Sequence, residues 1–331
     1  MNTARFNRSK TPTAGSDGIR GVPFFRLIPL QWWTLLLLML VVIVVNPNFY
    51  IPNNLTYMLR QATPAALLAI GETFVILSGG FDLSIGSIVS FIAALASGTI
   101  AGRVAHLAWA LPICVLVGSV IGLVNGVVVT KLKVPSFLAT LGMMIILQGA
   151  ALLYTGGMPK GGFPEEFRDF GLGKFIGIPY IVYILVAIVV FSQLLLRKTK
   201  LGRSILAVGG NDVASNLMGI RVDGVRIFCF FMSSLLSTVG TLLMVTTFRV
   251  WDTTMGIDME FEAITMVIVG GAAIGGGKGS IVSTILGWLI MTVLFTLLNV
   301  LGFPQSGRLL VQGLVILLAV FANVETRKVT R

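Results

Sequence analysis

The chain has 331 residues, of which 56% are hydrophobic and only 11% are charged. A soluble domain carries about 25% charged residues, so this composition excludes an ordinary soluble protein and predicts an integral protein of the lipid bilayer. The net charge of +11 does not predict nucleic-acid binding, because the basic residues form short clusters between apolar runs. Cys114 and Cys229 lie in separate apolar runs, which favours neither a disulfide framework nor a metal site.

The first 29 residues are polar and without apolar periodicity, which predicts a disordered cytosolic tail. From residue 30 onward the sequence predicts an all-α, polytopic membrane protein of about ten helices, each roughly 20 residues long. Residues 30–323 then form the transmembrane domain, and 324–331 form a C-terminal cytosolic tail. The predicted spans are 30–45, 62–78, 85–101, 108–130, 135–155, 179–196, 226–248, 261–275, 280–301 and 307–323.

The distribution of basic residues predicts the orientation of the spans. If the first residues are cytosolic, 17 of the 24 Lys and Arg residues fall on the cytosolic side, which agrees with the positive-inside bias and places both termini in the cytoplasm. The opposite side has two sizeable loops, 156–178 and 249–260, which hold much of the chain's acidic charge. These loops are either simply solvated, or they form a docking surface for a partner with matching basic residues.

The segment 197–226 is a charged break between apolar runs, with six basic residues. Asn211 and Asp212 are good N-cap residues for a short helix over 213–218, and Gly219 is a natural helix-ending glycine. Three residues at helical spacing would form an apolar ridge, namely Ala214, Leu217 and Met218. Such a helix is a surface that a soluble partner could bind in a groove. The alternative is a connector that lies on the membrane surface.

The glycine-rich stretch from Gly71 to Ser87 predicts a broken, re-entrant helix. Glu72 falls in an apolar run, where an ionisable group is expected to face a cavity or a polar partner rather than lipid. Asp82 and Ser84 are placed to cap the helix that resumes at Ile85. A break at membrane depth is tolerated only when it is buried in protein or lines a water-filled path.

Part of this stretch is similar in sequence to a later segment of the chain. Residues 73–90 resemble residues 265–283, since both begin with Thr, contain a glycine pair and end in GSIVS. Glycine-broken helices at corresponding places in two halves of a transporter point to the transport path. Chance similarity between glycine-rich helices remains the alternative.

Six polar residues in apolar surroundings are candidates for a translocation path. The neutral amides among them have the donors and acceptors that a hydroxyl-rich solute needs, although interhelical packing is the alternative for each. The candidates are Glu72, Asp82, Asn125, Gln148, Asn299 and Gln312.

The sequence IGGGKGS at 274–280 does not fit a phosphate-binding loop. That motif needs a glycine where this chain has Ala272, and Ser or Thr where it has Gly279. The chain is therefore expected not to hydrolyse ATP itself. Its sequence also has no His-Glu metal pattern and no GxSxG elbow, so it is not expected to be an enzyme.

Four blocks of the sequence resemble one family. They are TFVILSGGFDLSIGS at 73–87, GLVNGVVVTKLKVPSFLATLG at 122–142, KTKLGRSILAVGGNDVASNLMGI at 198–220, and VIVGGAAIGGGKGSIVSTILG at 267–287. The chain resembles the permease subunits of bacterial ABC sugar importers of the ribose, xylose, arabinose and autoinducer-2 type. Phe81 stands where this family more commonly has isoleucine.

The resemblance implies a type II ABC-importer permease in the bacterial inner membrane. A second copy or a paralogue would complete the core, a cytosolic ATPase would hold ATP and Mg, and a periplasmic protein would deliver the sugar. This chain itself would need no cofactor. Segment 197–226 would be the coupling element, with Gly209, Gly210, Asn211, Ala214, Leu217 and Gly219 at motif positions, and with Met218 beside them on the predicted ridge.

Two other functions remain open from the sequence. One is an ion-gradient-driven secondary transporter with Glu72 or Asp82 as its proton or sodium site. The other is an ABC permease for branched-chain amino acids. No residue pattern in the sequence indicates which sugar is carried.

Overall fold

The computed structural model describes residues 30–247 and 255–329. The predicted tail 1–29, residues 248–254 of the second acidic loop and residues 330–331 lie outside this part. The described helices are α1 Leu30–Val45, α2 Pro52–Leu77, α3 Ile85–Ile100, α4 Val104–Lys131, α5 Ser136–Thr155, α6 Glu165–Leu172, α7 Tyr180–Lys198, α8 Lys200–Gly210, α9 Asp212–Leu217, α10 Val222–Val245, α11 Met259–Val269, α12 Ile281–Val300 and α13 Gln305–Val329, with a short 3-10 turn at Pro47–Tyr50.

Each of the ten predicted spans corresponds to a helix in the described residues, and the predicted polytopic membrane class is confirmed. Five helices, α4, α5, α7, α10 and α12, are long and apolar enough to cross a bilayer. Three shorter apolar helices accompany them, at Gln31–Val45, Ile85–Ile100 and Gln305–Phe321.

Two predicted boundaries are wrong. The span predicted over 62–78 begins ten residues earlier, at Pro52, because proline at the first helical position has a φ already suited to the helix. The span predicted over 261–275 ends at Val269, because the chain turns at Gly270 and at Gly271, whose φ is +93°.

Other helical segments were not predicted. Helix α6 lies within the loop 156–178, and α8 occupies the first part of segment 197–226. The same acidic loop holds a minimal antiparallel pair, β1 Lys174–Phe175 and β2 Ile178–Pro179, which is a small exception to the all-α class. Helix α13 continues to Val329, so most of the segment predicted as a C-terminal tail is helical.

The core of the bundle is built around α2 and α10. Every residue of α2 from Thr63 to Leu77 is buried. The two helices approach closely at Gly71, where an added Cβ would lie 3.0 Å from the Cα of Ser233. On α4, Gly122 and Gly126 make similar approaches to α10. Small residues let membrane helices pack backbone to backbone, so these glycines set the close spacing at the centre.

The helices run alternately between two ends of the bundle. We call the end where α7 joins α8 the loop side, and the end that carries α6 the far side. Helix α2 and the connection between α11 and α12 meet at the loop side, since the N–H of Gly277 in that connection donates to the carbonyl of Leu77 over 3.0 Å. Helix α3 ends at the far side, where Gly162 donates to Ser97.

The two similar sequence segments, 73–90 and 265–283, contain helix ends of the same geometry. Both α2 and α11 end in a left-handed glycine, Gly79 with φ +88° and Gly271 with φ +93°. The Oγ1 of Thr73 lies 2.7 Å from the Oγ1 of Thr284, the residue directly after the second repeat. The residue after each left-handed glycine donates to the carbonyl five positions back, from Gly80 to Val75 over 3.0 Å and from Ala272 to Val267 over 3.2 Å.

Candidate functional site

A short capped helix projects on the loop side, as predicted. The side-chain Oδ1 of Asn211 accepts a hydrogen bond from the backbone N of Ala214 over 2.9 Å, which satisfies one free donor of the first turn of α9. Gly219, with φ +82°, ends the turn that follows α9. The predicted helix over 213–218 is confirmed with bounds one residue earlier, at Asp212–Leu217.

The outer face of α9 is apolar and uncovered. Leu217 is 84% exposed and Met218 is 81% exposed, with Val213 and Ala214 also exposed beside them. Ser215 points the other way and is buried. We call Val213, Leu217 and Met218 the α9 ridge. Exposed apolar groups gathered on a polar loop are typical of a surface that meets a protein partner or a membrane.

Two ion pairs hold the base of α9 and the start of α10 in place. Arg226 lies 3.1 Å from Asp212, and Lys131 at the end of α4 lies 2.7 Å from Asp223. These pairs border a cavity of about 1040 Å³ between the 78–80 turn, the α4–α5 connection and the start of α10. The cavity therefore adjoins both α9 and the first helix break.

The backbones of three segments meet where α8 ends. We call Gly209, Gly276 and Gly277, together with the end of α2, the glycine junction. A Cβ on Gly209 would overlap the carbonyl oxygen of Leu77 and lie 2.6 Å from the N of Gly277, and a Cβ on Gly276 would lie 2.9 Å from the Cα of Gly209. A shift of α8 must therefore move the end of α2 and the connection between α11 and α12, since no flexible side chain lies between these backbones.

The junction also explains the glycine-rich sequence 274–280. Gly276 and Gly277 have φ of +80° and +76°, which side chains rarely adopt. These glycines serve tight turns and backbone contact rather than phosphate binding. This role was not predicted from the sequence, in which the spacing of the glycines was the only sign of it.

A buried polar cluster fixes the break between α2 and α3. Asp82 accepts hydrogen bonds from Ser84, through N over 3.0 Å and Oγ over 2.5 Å, and from the Oγ of Ser233 over 2.9 Å. The backbone N of Asp82 donates to the Oε1 of Glu72 over 3.2 Å. Asn125 donates to the Oγ of Ser84 over 2.9 Å. The structure thus brings together three predicted candidates, Glu72, Asp82 and Asn125.

Helix α5 supplies the remaining partners of the break. The backbone N of Leu83 donates to Thr140 over 3.0 Å, and that of Phe81 donates to Ser136 over 3.2 Å. Helix α3 begins at Ile85 as predicted, but the side chain of Ser84 does not cap it. Side chains of neighbouring helices therefore satisfy the irregular backbone, as a break at membrane depth requires.

The other three candidates lie apart from this cluster. Gln148 is exposed on α5 and borders a second cavity of about 500 Å³. Asn299 is exposed near the far-side end of α12, and Gln312 is buried in α13. Within the described residues, the Nε2 of Gln312 has no hydrogen-bond partner.

Asp82→Ala is expected to destabilise the fold strongly. The change removes the shared acceptor of Ser84 and Ser233 and leaves their donors buried, which costs at least about 3 kcal/mol. Thermal unfolding in detergent should show a large fall in the midpoint. Ser237→Ala is the control, because Ser237 donates only to the carbonyl of Ser233 in its own helix; equal midpoints for the two variants would contradict a structural role of Asp82.

Apolar helices, a helix broken at membrane depth and an exposed apolar ridge on one side define a polytopic membrane permease. The chain belongs to the family described as "Branched-chain amino acid transport system / permease component", whose model matches residues 54–320.

Curated relatives of this family are closely similar over most of their length. The chain is 38% identical to the ribose import permease protein RbsC of Escherichia coli K12, over 84% of this chain and 88% of that protein. It is 38% identical to RbsC of Bacillus subtilis, over 85% and 87%, and 32% identical to the L-arabinose ABC transporter permease protein AraH of Azospirillum brasilense, over 83% and 80%. No solved structure matches the chain.

Proposed function

We propose that this chain is the membrane permease subunit of an ATP-driven importer for a monosaccharide or a similar sugar. The observation that carries the proposal is the exposed α9 ridge. Through α8 and the glycine junction, α9 is connected to the break between α2 and α3 and to the connection between α11 and α12. The relatives named for ribose and arabinose import support sugar as the cargo. Because the chain lacks a phosphate-binding loop, ATP and Mg are held by a separate cytosolic ATPase.

The ATPase binds the α9 ridge in a groove and moves it when ATP closes the ATPase pair. Helix α8 transmits this movement to the end of α2 and to the connection between α11 and α12, because Gly209 is in backbone contact with Leu77 and Gly277. The membrane path then switches between its two sides. The loop side is the cytosolic side in this proposal, and both termini lie there, in agreement with the basic residues of segment 197–226.

The far side receives a periplasmic sugar-binding protein. Helix α6 presents the exposed acids Glu165, Glu166 and Asp169 there, and complementary basic residues on the partner would set its orientation and association rate. A second copy of the chain, or a paralogue, completes the permease core.

The surroundings of Glu72 and Asp82 favour this proposal over an ion-driven secondary transporter. Asp82 accepts hydrogen bonds from Ser84 and Ser233, and the Oε1 of Glu72 accepts one from the backbone of the break, while its Oε2 has no partner in the described residues. Neither carboxylate lines either of the two cavities described above. An amino-acid cargo is favoured by the family description alone. A zwitterion needs paired opposite charges, whereas the described lining of the smaller cavity has only acidic charges, Asp258 and Glu260. The opposite charges beside the larger cavity already bind each other in the two ion pairs.

Uptake of radiolabelled D-ribose and L-arabinose by cells that express the complete transporter tests the energy source. Depleting ATP while the ion gradient is held is expected to abolish uptake, and collapsing the gradient while ATP is held is expected to leave it nearly unchanged. The opposite pattern would contradict the importer proposal and favour an ion-driven transporter with Glu72 as its ion site.

A further inference from the structure

The smaller cavity lies where the start of α3, the second half of α5 and the start of α11 meet. Its volume of about 500 Å³ falls within the roughly 300–1,000 Å³ typical of small-molecule sites. Its walls approach closely at Gly86, because a Cβ there would overlap the carbonyl of Gly256. Ser90 also donates a hydrogen bond to the carbonyl of Met255. These contacts therefore hold α3 and the segment before α11 together along one wall of the cavity.

Gln148 is unusual on its helix. The exposed face of α5 is otherwise apolar, with large uncovered side chains such as Ile145, Ile146 and Leu153. A primary amide facing lipid is costly, so Gln148 is expected to face a polar ligand or a water-filled space. It borders the cavity, which provides that space.

Two carboxylates line the opposite wall. Glu260, in the first turn of α11, is only 7% exposed, and no other described side chain donates a hydrogen bond to it. Its carboxylate packs against Gly86 so closely that a Cβ there would overlap it. Asp258 precedes the helix with φ +64°, a conformation rare for residues other than glycine. A buried carboxylate without a side-chain partner, such as that of Glu260, indicates a functional site in a membrane protein.

We propose that this cavity binds the sugar during its passage through the membrane. Glu260 and Asp258 accept hydrogen bonds from sugar hydroxyls, Gln148 both donates and accepts, and the ring of Phe261 covers apolar C–H groups. Because the charged groups in the described lining are acidic, the site selects neutral sugars and disfavours phosphorylated sugars and sugar acids. This inference rests on the proposed function and assigns its substrate contacts.

Glu260→Gln tests the inference in the complete transporter with its ATPase and binding protein. Losing one charge-assisted hydrogen bond is expected to lower D-ribose uptake about tenfold at subsaturating sugar. ATP hydrolysis stimulated by the binding protein should persist, which shows that the complex still assembles. The matched control is Glu262→Gln, because Glu262 lies on the same helix but does not line the cavity; its uptake should stay within about twofold of the wild type.

The outcomes separate this inference from the function on which it rests. ATP-dependent wild-type uptake that is unchanged in Glu260→Gln would overturn the inference alone. Wild-type uptake that does not depend on ATP would overturn the proposed function.

Protection of an introduced cysteine tests the same site without measuring transport. Both native cysteines are buried, so a methanethiosulfonate reagent should modify Gln148→Cys selectively. Saturating D-ribose is expected to slow this reaction at least about threefold, because a bound sugar would occupy the cavity. The matched control is Gln61→Cys, an exposed amide on α2 outside the cavity, whose modification should not respond to sugar. Equal rates with and without sugar at Gln148→Cys would overturn the assignment.

Discussion

Replacing Leu217 and Met218 together by Asp is expected to abolish sugar uptake and to release the ATPase from the permease. Both side chains are more than 80% exposed, so the change leaves the packing of the bundle intact. Two carboxylates placed in an apolar interface without partners cost several kcal/mol on binding, enough to lower affinity by about a hundredfold or more. Radiolabelled sugar uptake and retention of the ATPase on the tagged permease measure the two effects.

Leu132→Asp is the matched control for this double replacement. Leu132 is an apolar loop-side residue that is 68% exposed, but it lies in the α4–α5 connection rather than on α9. Uptake by this variant should remain within about twofold of the wild type. Normal uptake by the Leu217/Met218 double variant, with the protein inserted in the membrane, would contradict the role of the α9 ridge.

Gly209→Ala is expected to produce a different failure, in which the ATPase still binds but sugar uptake falls by more than about tenfold. The added Cβ would overlap the carbonyl of Leu77, so α8 must move away from the end of α2. The α9 ridge remains exposed and able to bind its partner. Uptake measured beside ATPase retention distinguishes this uncoupling from loss of the complex.

Gly224→Ala provides the comparison for the glycine junction. Gly224 lies in the first turn of α10 on the same side, and its added Cβ would come no closer than 3.9 Å to any neighbour, the Cβ of Arg221. This variant should transport normally. Normal uptake in Gly209→Ala as well would show that the glycine junction does not transmit movement to the helix breaks.

Hydropathy was sufficient to predict the main helices, because roughly 20 apolar residues in a row have few other stable structures. Cap residues were sufficient for α9, since the contact from Asn211 to Ala214 is local in sequence. Helix α8 was missed because its charged and glycine-rich sequence lacks a long apolar run. The early end of α11 depends on the turn at Gly270 and Gly271, where hydropathy alone gives no sharp boundary.

The buried polar cluster was predicted only in pieces. Glu72, Asp82 and Asn125 were visible as polar residues in apolar runs, but their convergence depends on how α2, α4 and α10 pack. Ser233 gave no signal, because serines in membrane helices commonly bond to their own backbone, as Ser237 does.

The remaining amides show the same limit of sequence reasoning. Gln148 and Asn299 have similar chemistry and similar apolar surroundings in sequence. Only the packing of α3, α5 and α11 places Gln148 at a cavity. The position of a cavity is a property of the whole bundle and has no local signature in the chain.

Purification of the tagged protein from its native membrane in mild detergent, with the stoichiometry of its companions, tests the central claim most directly. The proposal predicts a nucleotide-binding ATPase in near-equal amount, retained in the wild type and lost when Leu217 and Met218 are replaced by Asp. A chain that purifies alone and moves sugar into liposomes without ATP would contradict the proposal.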